Sequence, residues 1–189
     1  SHGGGTPEGQ REVLASYGIT EKNLGVPVVT DVDTLRLGDR RNGQPIWFDR
    51  TALQADLIVP INRVKLHTDF VGPIQSGLCK MLVIGLGNHR GCSAVHEESP
   101  DHFSVAIEEI AQVILARAPV GFGLALVENA YDQTCLIEAV PASRLIRREK
   151  ELLEIARTRM PYIMLPEADV IVCREIGKDV SGAGFDPNI

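Results

Sequence analysis

The run Ala55-Asp56-Leu57-Ile58-Val59-Pro60-Ile61 constrains the fold more than any other stretch. Beyond Asp56 it is apolar at odd and even positions alike, so neither face of a strand formed there suits water, which is the pattern of a central strand in a parallel sheet. Ala168-Asp169-Val170-Ile171-Val172-Cys173 repeats the pattern near the other end, and residues 121–128 and 133–140 read as two more strands. Helical patterns lie between these runs. Within residues 101–117, Phe103, Ile107, Ile110 and Ile114 recur at helical spacing while Glu108, Glu109 and Gln112 face away. Residues 141–160 give a second long helix, with Leu145, Leu152, Leu153, Ala156 and Met160 on its apolar side; Arg147, Arg148, Glu149, Lys150, Glu151 and Glu154 read as a solvated face. Buried strands alternating with helices predict an α/β fold, a largely parallel β-sheet flanked by helices.

Smaller elements fit around this frame. Thr6-Pro7-Glu8 is a helix start, with a hydroxyl cap, proline at the first helical position and an acid in the first turn, and that helix should stop at Gly18. Residues 26–29, 34–38 and 45–49 are strand-like, and Asn42-Gly43 between the last two marks a small β-hairpin. Residues 49–54 fit one or two helical turns. Residues 76–86 read as helix with Lys80 off its apolar stripe, and residues 87–100 as a loop carrying His89 and His96.

Function concentrates in residues 63–96, which hold three of the five histidines, two of the four cysteines, and both Lys65 and Lys80. In open α/β sheets ligands collect beyond the carboxyl ends of the strands, and His67 falls there, after the 55–61 run. Glycines at 72, 77, 85 and 87 allow backbone to approach a ligand. His2 to Gly5 precede a helix start, either as an anion-binding turn or as a flexible leader, and His2 is either native or the scar of a tag. Residues 175–184 form another glycine-rich loop that would face the first.

The net charge of −6, from 19 basic and 25 acidic residues with no basic block, argues against a nucleic-acid partner. Apolar runs fall far short of the ~20 residues of a membrane span, and no signal-peptide pattern opens the chain. With no CxxC pair, the four cysteines read as buried free thiols of a cytoplasmic protein. There is no GxSxG, no Walker A, and the Gly85-Leu86-Gly87 stretch follows a helix and not a strand, so it is no dinucleotide loop.

Histidine serves as acid, base or metal ligand near neutral pH. Two histidines facing across a small substrate suit a racemase or epimerase. Three around zinc, His67, His89 and His96, would suit a hydrolase, but they show no metal-binding spacing.

Ser1-His2-Gly3-Gly4-Gly5-Thr6, the block from Asn42-Gly43-Gln44-Pro45-Ile46 to Ala55-Asp56-Leu57-Ile58-Val59, then His67, Gly72, Ser76-Gly77, Lys80 and His96 form an ordered series. In this series the chain resembles the nickel-dependent lactate racemase family. The resemblance covers about residues 1–96 and weakens beyond. It implies a nickel-pincer pyridinium mononucleotide as cofactor, tethered at Lys80, with Gly72, Ser76 and Gly77 around it and His96 as the protein ligand to nickel. His2 and His67 would be the acid/base pair, and the substrate a small anionic 2-hydroxy acid. The family's racemases commonly carry Glu-Pro-His where this chain has Lys65-Leu66-His67, and Lys80 stands further from His67. The alternative is a cofactor-free protein of the same fold that holds an anionic metabolite, with Lys65 lowering the pKa of His67. The ends predict a fragment of a larger protein, inactive alone: residues 1–165 an α/β racemase-type domain and residues 166–189 a strand and glycine-rich loop leading toward a second lobe. The oligomeric state is open.

Overall fold

The computed structural model describes residues 5–165, 167, 169–172, 174 and 188. Among these it is mixed α/β, with seven α-helices and two small sheets. Helix α1 (Pro7–Ser16) opens where Thr6 Oγ1 accepts the Gly9 N–H at 3.1 Å, and Gly18 takes the left-handed φ of 74° just past its end. A short α2 (Glu21–Leu24) follows. Strands β1 (Thr34–Asp39) and β2 (Pro45–Asp49) pair antiparallel as the expected hairpin, turning through Gly43 at φ 83°. The Asp49 carboxylate then caps α3 (Arg50–Leu53), accepting the Ala52 N–H at 2.7 Å.

Strand β3 (Ile61–Arg63) runs parallel to β4 (Phe122–Glu128), which pairs antiparallel with β5 (Thr134–Pro141). A bridge from Ile58 to Val120 prolongs the parallel pairing backwards. The second sheet is thus mixed, with one parallel pair, where the sequence predicts a largely parallel one. The physical reason is exposure. Leu57 and Ile61 are 53% and 57% exposed, so the 55–61 run lies at a sheet edge and buries only part of its apolar surface. The centre is β4, whose Gly123, Ala125 and Val127 turn inward beneath α7 (Leu145–Arg157), which packs in turn against α6 (Pro100–Arg117). No strand forms at residues 26–29 or at 169–172; residues 168 and 173 lie outside the described set.

Helix α4 (Leu78–Lys80) widens at once into a π-helical turn over Met81–Gly85, where the Leu86 N–H reaches back to the Met81 carbonyl at 2.9 Å. Residues 87–100, expected as loop, instead contain α5 (Asn88–His96). Its glycine serves packing: Gly91 lies on the Trp47 backbone, and the Arg90 guanidinium stacks 4.9 Å from the centre of the Trp47 ring. Asn88, at φ 51°, starts the helix by donating to the Asp49 carboxylate at 2.7 Å. Phe48, Ile74, Leu78, Leu82, Ile107, Ile114, Leu145 and Leu152 fill the core, each burial worth ~1.5–3 kcal/mol.

Two further expectations are corrected. Glu149 does not belong to the solvated face of α7 but is 1% exposed, and Cys135 is exposed while Cys79 and Cys92 are the buried free thiols. Among the described residues no helix is long and apolar enough to cross a membrane.

Candidate active site

The loop after β3 is closed at its neck by two backbone hydrogen bonds. The Lys65 N–H donates to the Ser76 carbonyl at 2.9 Å and the Ser76 N–H to the Lys65 carbonyl at 3.2 Å. Buried Gln75 braces the interior, its Oε1 accepting the His67 N–H at 2.7 Å and its Nε2 donating to the Gly72 carbonyl at 3.0 Å. From α6, Ser104 Oγ accepts the Ile74 N–H at 3.0 Å and donates to the Ile74 carbonyl at 2.6 Å. These bonds satisfy the loop's buried polar groups and fix His67 in place.

The three expected site residues on this side converge. The His67 ring stacks 4.3 Å from Phe70, Phe70 lies 4.7 Å from Phe103 of α6, and His96 at the end of α5 lies 5.1 Å from Phe103. Lys80 Nζ stands 5.7 Å from the Phe70 ring centre. A phenylalanine pair therefore gathers the two imidazoles and the amine. Beside them opens a cavity of about 260 Å³ lined by His67, Thr68, Asp69, Phe70, Val71, Pro100, Asp101 and Asn188, the last donating from Nδ2 to the His67 carbonyl at 3.0 Å.

The electrostatics follow from crowding of like charge. Burial, then Lys80, Lys65 and His96 push the His67 pKa down to about 4, against an upward pull from Asp69, so the ring is neutral at pH 7. The Asp69 N–H donates to His67 Nδ1 at 3.1 Å, which puts the proton of the neutral ring on Nε2. Burial and Lys65 lower Lys80 to about 8, opposed by Asp69 and Cys92. A lysine so placed is a nucleophilic amine at pH values where an ordinary one is protonated.

Other expected residues stand elsewhere. His2 and Lys178 lie outside the described residues. His89 is exposed in the first turn of α5 and takes no part in the ring stack. Among the described residues no group of three His, Cys, Asp or Glu side chains could hold a metal ion, which removes the footing of a zinc site on His67, His89 and His96. Ser76 is buried. The Cβ sides of Gly72 and Gly77 are filled by protein: an added Cβ would lie 2.3 Å from Ser104 Oγ at Gly72 and 2.6 Å from the Glu149 carboxyl at Gly77.

Sequence reasoning missed Phe70 and Phe103 as the hub, and Glu149 as a buried group. The spacing of Glu149, four after Leu145 and three and four before Leu152 and Leu153, placed it within the apolar stripe.

No family model matches the chain, and no curated protein matches it in sequence. Among solved structures it is similar to the lactate racemase apoprotein from Thermoanaerobacterium thermosaccharolyticum, with a TM-score of 0.52 and 17% identity over 63% of this chain. The fold is lactate-racemase-like. The matched part covers 30% of that racemase's chain.

Proposed function

We propose that the chain is part of a racemase or epimerase of a small 2-hydroxy acid, working in the cytoplasm. The observation that supports it is the convergence of His67, Lys80 and His96 on the Phe70–Phe103 pair within a lactate-racemase-like fold. The donor set fits a nickel-pincer nucleotide better than a metal held by protein alone, since it offers one reactive amine and one accessible imidazole without a ligand triad. In that assignment Lys80 is the tether and His96 the nickel ligand, and the bound group supplies reversible hydride acceptance. His67 exchanges the hydroxyl proton. To take it at Nε2, the neutral ring must carry its own proton on Nδ1, giving up the Asp69 N–H contact. The resulting imidazolium is then steadied by the Asp69 carboxylate, whose Oδ2 lies 3.9 Å from Nδ1. His2 is assigned as the opposite acid/base on the resemblance alone. The test is to produce the protein alongside cofactor-making enzymes and measure nickel and the mass of the Lys80 peptide. Bound nickel with added mass at Lys80 is expected; the absence of both would overturn the reading.

One observation favours a second reading, a cofactor-free protein holding an anionic metabolite. Lys65 and Lys80 both act on His67, with Asp69 as the opposing charge. Thermal stabilisation by inorganic phosphate or a phosphorylated metabolite, unchanged by chelators, would support it; a melting temperature that these anions leave unchanged would count against it.

A further inference from the structure

Helix α4 starts at Gly77, which has no side chain to cap it. The cap comes instead from another helix. Glu149 of α7 reaches under the turn, and its Oε2 accepts the Cys79 N–H at 2.8 Å, while the Leu78 N–H also favours its charged form. Its Oε1 is buried with no hydrogen-bond partner among the described residues. Across the turn, Asn62 Nδ2 of β3 donates to the Gly77 carbonyl at 2.9 Å. Gly77 to Cys79 are therefore clamped from two sides, and the next residue is Lys80. An added Cβ at Gly77 would meet the Glu149 carboxyl at 2.6 Å, so glycine there and glutamate in α7 are fitted to each other.

We propose that Glu149 is a positioning residue: its carboxylate clamps the Gly77-to-Cys79 turn in the winding that sets Lys80 over Phe70, and loss of its charge releases that turn. This rests on the reading of Lys80 as a working residue of the cleft. A structural carboxylate at a protein surface would be charged throughout the neutral range. Glu149 instead has its pKa raised to about 7 by burial, against the pull of the Cys79 N–H, the Cys79 thiol and the Leu78 N–H, so the clamp toggles where the protein works. Among the described residues the charged and titratable groups around it are few. They are the Cys79 thiol, kept neutral by burial and by Glu149 itself, and the Glu108–Lys150 ion pair between α6 and α7 at 2.7 Å. Arg148 beside it is occupied by Glu138 of β5 at 2.8 Å and by Glu151 at 2.6 Å, and Arg144 in the turn before α7 acts on Glu138.

The test is a pH titration from 5 to 9 by NMR on the full chain carrying labelled lysine and backbone nitrogen, with Lys80 assigned by Lys80→Arg. The Cys79 amide should show a step centred near pH 7, and the Lys80 side-chain signal should carry the same midpoint beside its own titration. Glu149→Gln, which keeps the shape and one acceptor oxygen, should abolish that step in both. A Lys80 signal that titrates identically in the wild type and in Glu149→Gln would overturn the proposal, leaving Glu149 a structural cap only. If the variant does not fold, the labelled Glu149 carboxyl of the wild-type chain decides: a midpoint shared with Lys80 supports the clamp, and a midpoint in the ordinary carboxylate range overturns it. The readout is the lysine's own behaviour, so it stands even if Lys80 never receives a cofactor.

Discussion

At the scale of single side chains, Lys65 acts on the cleft through charge. It is exposed, yet it lowers both Lys80 and His67 and adds to what burial does. Lys65→Met should raise the pKa of both. At pH 7.5 the acylation rate of Lys80, read by competitive labelling and mass spectrometry, should fall on the order of twofold, since a full pKa unit corresponds to a tenfold change. An unchanged rate would mean that burial alone sets the amine.

At the scale of elements, α5 shows how packing overrides composition. Residues 87–93 contain two glycines, a cysteine and a serine, and nothing in their spacing announces a helix. What makes them helical is the surface they meet. Gly87 comes so close to the Val83 carbonyl that an added Cβ would lie 2.2 Å from it, whereas at Gly91 the nearest atoms would be 3.4 Å away. Gly87→Ala should therefore cost ~1–3 kcal/mol of stability through overpacking, measured by urea unfolding, while Gly91→Ala should be neutral or gain up to ~1 kcal/mol from helix propensity. The same contrast explains what the sequence made legible. The hairpin, α1, α6 and the β4–β5 pair carry their signals locally, in turn residues, caps and periodicity. Where His67, Lys80 and His96 meet is set by Phe70 and Phe103, whose roles depend on contacts between distant segments. Glu149 was hidden by its neighbours, because an acid within Arg147-Arg148-Glu149-Lys150-Glu151 reads as one more surface charge although its spacing points inward.

For the whole molecule, three groups tie stability to pH, two of them in overlapping windows and one in a window of its own. Glu149, raised from 4.5 to about 7, binds a proton in the folded state before the unfolded chain does; its stabilising contribution is full below 4.5 and is lost as pH rises through 7. His67, lowered from 6.5 to about 4, contributes above 6.5 and loses that as pH falls through 4. Lys80, lowered from 10.5 to about 8, favours the folded state as pH climbs from 8 to 10.5. The first two oppose each other between pH 4.5 and 6.5 and partly cancel. Calorimetric melting of wild type and Glu149→Gln should separate them: the wild-type Tm relative to the variant should be highest below pH 4.5 and decline steadily toward pH 7.5. A constant difference would mean that Glu149 does not titrate in that window.

The backbone pairing of Lys65 with Ser76 has one more consequence. Because the two ends of the intervening loop are pinned by hydrogen bonds at 2.9 and 3.2 Å, its closure is supplied by the scaffold. Doubling the length of such a loop costs only ~0.6 kcal/mol of closure entropy. The exposed tip of the loop is thus open to change: an insertion at Val71, which is 73% exposed and lines the cavity, would alter what the cleft accepts at small entropic cost, whereas Phe70 and Ile74 on either side belong to the core and hold the loop to the helices beneath it.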